Sequence, residues 1–189
     1  MSYRSDFAKI EYCWFCNRTF YVLNLETLQT AYYAYFHSIM RYGIIFWGNA
    51  TDSYKVFKLQ KMVIRIMSGA DPRASCRGLF RKLEILPVPW QYILSLILFI
   101  IDNANNFQTG LEIHELHTRS KNQHLIPIAN LASVQKGITY SGIKICNSLP
   151  SNILNLKNDR KWFKNELYGY LSNNSFYSVK EFLEFSSDN

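Results

Sequence analysis

Residues 43–86 read GIIFWGNATDSYKVFKLQKMVIRIMSGADPRASCRGLFRKLEIL. The run Ile44-Ile45-Phe46-Trp47-Gly48-Asn49 is apolar and aromatic and closes in a turn. Thr51 or Asp52 then offers a side-chain oxygen to the unpaired N–H groups of a first helical turn, and Gly69 offers a stop. At about 100° per residue, Val56, Leu59, Val63, Ile66 and Met67 fall on one side of this helix. Lys58, Lys61 and Arg65 fall roughly opposite, with Lys55 at the margin. Ala70-Asp71-Pro72-Arg73 reads as a loop, and a short basic helix from about Ser75 to Leu83 follows it. Two helices joined by a loop, read outward along the chain, define the fold class: mainly α and irregular, with a smaller C-terminal part that is helical and irregular.

The same stretch holds the charge. Between Ser53 and Leu83 stand Lys55, Lys58, Lys61, Arg65, Arg73, Arg77, Arg81 and Lys82, against the single acid Asp71. That local excess equals the formal net charge of the chain, +7, and the remaining basic and acidic residues cancel. A positive stripe backed by an apolar stripe is what a helix needs to lie against a phosphate backbone while docked on its own domain. The plain alternative is a solvated face. Hydrophobic residues make up 48% of the chain, so a sizeable core is expected and disorder is not.

Upstream, Lys9 to Leu23 reads as a short aromatic-rich helix. Asn24 is a good N-cap with Glu26 in the first turn, and Leu25, Leu28, Tyr32, Tyr35, Phe36 and Ile39 recur at helical spacing up to Gly43. His37 sits mid-helix, where packing is the ordinary use of a lone histidine. Downstream, Pro89 suits the first turn of a helix from Trp90 to about Asn103 that is apolar nearly all round. Its run Ile93 to Ile101 is about half of what spans a bilayer, so a buried helix is expected and a membrane partner is not.

Asn103 to Leu131 is polar and lacks periodicity. Gln135 to Pro150 is compact and punctuated by glycine; it is compatible with a short strand running into a helix, and its form stays open. Asn158 or Asp159 caps a helix with Trp162, Phe163, Leu167, Tyr170 and Leu171 on its apolar side. Lys157, Arg160, Lys161 and Lys164 make a second basic patch at its start. Ser178-x-x-Glu181 is a capping box for a final helix, Val179 to Phe185.

Several blocks carry a family likeness: WGNATDS (47–53), LQKMVIRIMSGADPRASCRGLFRKLEILPVPWQYI (59–93), QKGITYSGIKICNSLPSNI (135–153) and SFYSVKEFL (175–183). Together they resemble the C-terminal part of reverse transcriptases from non-LTR, LINE-type retrotransposons of the jockey kind, from about Leu25 to about Phe185. The resemblance implies thumb-like helices over 1–104, an irregular connection over 105–135 and a C-terminal helical part over 136–189. It implies contact with the phosphate backbone of RNA or DNA through the eight basic residues above. A Thr-Arg pair near Thr118 belongs to the likeness and adds Arg119 as a further contact.

The polymerase carboxylates that the family carries as an aromatic-flanked Asp-Asp pair have no counterpart. The six aspartates are dispersed, with no two adjacent and none in an apolar strand context, so two-metal chemistry is not expected and no cofactor is implied. Cys13-x-x-Cys16 lacks two further ligands at close spacing, the nearest tidy pair being His114-x-x-His117, so zinc is not expected either. Met1 to Ile10 is polar with charge of both signs, unlike a signal peptide, so reduced thiols and an intracellular, non-secreted setting are expected. A thumb without its palm would expose apolar surface, so self-association is the second reading of function.

Overall fold

The computed structural model describes residues 24–107, 124–174 and 176–187, and over them the protein is mainly α-helical, with no sheet. Helix α1 begins where the sequence places it. Asn24 Oδ1 accepts the Thr27 N–H at 2.8 Å, which satisfies one orphan donor of the first turn. α1 runs through Leu25–Ala31, continues as a π-helical stretch Tyr32–His37, and returns to α geometry over Ser38–Arg41. Its buried row is Leu28, Tyr32, Phe36 and Met40, every fourth residue. In a regular α-helix such a row drifts about 40° per step. The wider π turn holds it to one side, so Tyr35, expected inside, is 63% exposed, and Met40 is buried instead. His37 is half-buried against the rings of Tyr32 and Tyr33.

After the short α2 (Ile44–Trp47) come α3 (Ser53–Met67), α4 (Arg77–Lys82) and α5 (Val88–Asp102). The segment whose sequence admits either a strand or a helix is helical: α6 is Ala132–Gln135 and α7 is Ile138–Asn147. α8 (Ser151–Leu154), α9 (Arg160–Asn174) and α10 (Val179–Ser187) complete the chain. The expected helix over Lys9 to Leu23 and the Cys13-Cys16 pair lie outside the described residues.

Two compact units divide the chain. One holds the chain up to Ile44 together with Thr51–Val88; the other holds Ile45–Ala50 and the chain from Pro89 on. The dividing line thus falls at the start of α5, inside the segment 1–104. In the first unit, Gln60 on α3 ties three segments together. Its Nε2 donates to Tyr32 Oη at 2.8 Å and to Leu86 O at 2.9 Å, and its Oε1 accepts from the Val88 N–H at 2.8 Å. A fully buried amide is stable there because those three bonds replace its water.

In the second unit α5 is the central element, buried on nearly every side. α7 approaches it through Gly142: a β-carbon there would stand 2.7 Å from Ile100 Cγ1 and 3.3 Å from Leu96 Cγ. Asn147, at the end of α7, holds the backbone of His124. Its Oδ1 accepts the His124 N–H at 3.0 Å and its Nδ2 donates to His124 O at 2.7 Å. Asp159 caps α9 by accepting the N–H groups of Lys161 and Trp162. Phe163, Leu167 and Leu171 face the core, whereas Trp162, expected with them, is 62% exposed. Ser178 Oγ caps α10 at the Glu181 N–H, and the Glu181 carboxylate accepts the Tyr177 N–H in return, one residue earlier than the usual reciprocal bond.

Candidate nucleic-acid interface

α3 presents two faces, and the buried one is turned from the expected position. Val56, Val63 and Met67 are buried as expected, but Phe57, Gln60 and Ile64 are buried with them, while Leu59 is half-buried and Ile66 exposed. The apolar centre therefore lies about 60° further round. Gln60 is the cause: a polar residue sits at the middle of the buried face because its amide has three partners there. The basic side survives this rotation, although it now stands somewhat less squarely opposite the core. Lys58 is exposed, and Lys61 and Arg65 are half-exposed beside it.

Lys61, Arg65 and Lys55 are each oriented by a neighbour. Lys61 lays its stem on Phe57, with Nζ 4.5 Å from the ring centroid, and Phe57 in turn stacks on Phe80 of α4 at 6.1 Å. Arg65 Nε donates to Ala74 O at 2.9 Å. Lys55, at the margin, pairs with Asp52 at 2.7 Å. Asp52 stands at the N-cap position without making a cap bond, so its expected capping role gives way to that ion pair.

The loop after α3 returns along the basic side. Gly69 takes φ 58° and closes a Schellman turn, with Gly69 N–H on Ile66 O and Ala70 N–H on Arg65 O. Asp71 Oδ1 then accepts the Arg73 N–H at 2.7 Å, which reverses the chain. Ala74 meets Arg65, and Cys76 Sγ lies 3.6 Å from Lys61 O. The chain that carries Arg73 and Arg77, the sequence neighbours of those two contacts, thereby runs beside Lys61 and Arg65, and both arginines are exposed. Arg81 follows Arg77 one turn on along the same face of α4, whereas Lys82 lies about 100° further round and leaves the band at its edge. Arg119 lies outside the described residues.

Cys76 sits under the band. Burial pushes its thiol pKa up, although Arg65 and Lys61 beside it pull the other way. The side chain beneath these two cations is therefore a neutral thiol. Sequence reasoning missed one residue of this ridge, Tyr54. It is 60% exposed and stands one turn before Lys58. Its spacing of four from Lys58 was the available signal, and an aromatic in a helix read as core material hid it.

The second basic patch, in the other unit, is partly committed to structure. Arg160 Nη1 pairs with Asp102, and Asp159 caps the helix these residues open. Four of the six aspartates are described, and each serves the structure around it. Asp52 and Asp102 form ion pairs, Asp71 holds the turn, and Asp159 caps its helix. Among the described residues no group of three His, Cys, Asp or Glu side chains is placed to hold a metal ion. Among them too, no helix is long and apolar enough to cross a membrane; the apolar run of α5 fills a core. Compared with protein-family models, with curated proteins and with solved structures, the chain finds no match in any of the three.

Proposed function

We propose that this chain is a non-catalytic nucleic-acid-binding element, comparable in role to the thumb of a non-LTR retrotransposon reverse transcriptase separated from its palm, and that it grips RNA or DNA by the phosphate backbone. One observation carries the reading. The stretch that holds the entire +7 of the chain folds so that its cations line one exposed side of α3 and continue through Arg73 into α4. Phosphate contacts of this kind position a strand and carry little sequence information. Affinity then falls by about 0.7–0.9 log units per log unit of salt for each phosphate neutralised. Fluorescence anisotropy on labelled oligonucleotides over a salt series tests this, and a flat salt response would sink it. Replacing Lys61 and Arg65 by Ala weakens binding equally for unrelated sequences and lowers the salt slope. A primer-extension assay with Mg²⁺ tests the absence of catalysis; template-dependent extension would overturn it.

A second reading is favoured by a specific feature of the other unit. Ile128 is 98% exposed in a segment without regular structure that also exposes Leu125 and Ile126, and Leu131 and Val134, where α6 begins, are exposed after it. Such an apolar strip supports self-association. Light scattering separates the two: a stable oligomer indifferent to RNA supports this reading, and a monomer that binds RNA supports the first.

A further inference from the structure

We infer that Tyr54 is a base-stacking platform, and that the ligand of the basic ridge is single-stranded nucleic acid in preference to duplex. The inference rests on the phosphate-gripping role proposed above and names the form of strand that role serves. Tyr54, Lys58, Lys61 and Arg65 follow one another at spacings of four, three and four residues. At about 100° per residue they fall within ~60° of arc, on the side opposite the buried face. They form one ridge with an exposed ring at its first position and cations after it. At 1.5 Å per residue the ridge is about 16 Å long. A stacked strand places a phosphate every ~3.4 Å, so the ridge matches about five nucleotides.

The ring is what distinguishes the two forms of strand. In a duplex the faces of the bases are covered by their neighbours, so a surface tyrosine beside a basic stripe gains little and the lysines act alone. In a single strand any base can turn its face outward, and an exposed ring held next to phosphate contacts gains from each of the four bases. The ridge is also held in place before any ligand arrives. Lys61 is laid on Phe57 and Arg65 is tied to Ala74 O, so two of the three cations are positioned on the helix that also carries the ring. The ring of Tyr54 itself stands mostly in solvent, where a base can reach it.

The test compares an unstructured single strand of about 12 nucleotides with a blunt duplex of the same length, on the full chain by anisotropy across a salt series. The wild type is expected to bind the single strand more tightly. Tyr54→Ala weakens single-strand binding about tenfold while leaving its salt slope unchanged, because stacking releases no counterions. It leaves duplex affinity unchanged, and Tyr54→Phe, which keeps the ring, retains wild-type binding. Lys61→Ala weakens both ligands and lowers the slope by about 0.7 on the single strand. Circular dichroism of Tyr54→Ala confirms that the fold is kept. If Tyr54→Ala changes nothing, or weakens both ligands alike, Tyr54 is no stacking platform while the phosphate-gripping role stands. If the wild type binds neither ligand at low salt, that role itself fails and the stacking role with it.

Discussion

Gln60 shows how one residue can reset a helix. Its period on α3 sets a polar side chain beside Val56 and Met67, yet it is fully buried with both ends of its amide engaged. Gln60→Leu keeps the volume and deletes the bonds, leaving Tyr32 Oη, Leu86 O and the Val88 N–H without their partner. Each buried group left unpaired costs ~1–3 kcal/mol, so a loss of about 3 kcal/mol is expected in urea unfolding. A change near zero would mean that water reaches the site. Glu84 is a second such residue. It takes φ 55° at the end of α4, where Glu84 N–H meets Arg81 O and Ile85 N–H meets Phe80 O, a Schellman turn that ordinarily uses glycine. Relief of this left-handed strain by Glu84→Gly is expected to stabilise the protein by about 0.5–1 kcal/mol, read as a higher urea midpoint at unchanged m.

At the scale of elements, what was legible followed from local chemistry. Asn24, Gly69, Asp159 and Ser178 mark helix ends where the sequence places them, because a cap or stop depends on backbone groups within a few residues. The end of α4 was not legible as a turn, since a glutamate stands where glycine is the signal. The faces of α1 and α3 were shifted for different reasons. In α1 the π-helical stretch changes the residues per turn, and in α3 a polar side chain joins the core. The crossing of α7 on α5 is set by Gly142, which a sequence reading takes as mere punctuation. Gly142→Ala places a methyl against Ile100 and Leu96. Overpacking of this kind costs ~1–3 kcal/mol, and a thermal melt should show the loss. Unchanged stability would mean that the two helices separate easily.

At the scale of the molecule, most of the net positive charge falls in one of the two units, whose cations stand outward on α3, the returning loop and α4. Anything that binds the folded form raises its stability by mass action. An oligonucleotide at about 100 times its Kd is expected to add ~2.7 kcal/mol to the unfolding free energy at low salt, and this gain should vanish at high salt. A melting temperature that ignores the oligonucleotide would count against the proposed role. The helical class, the buried character of α5, and the position and sign of the charge were all determined by the sequence alone. Composition, period and capping act over a few residues, and no distant partner is needed to express them. Only the tertiary structure decided which side of α3 is buried, that the chain carrying Arg73 and Arg77 returns beside Lys61 and Arg65, and that Tyr54 is left in solvent. Those outcomes depend on contacts such as Gln60 with Tyr32 and Arg65 with Ala74, between residues that the chain brings together only by folding.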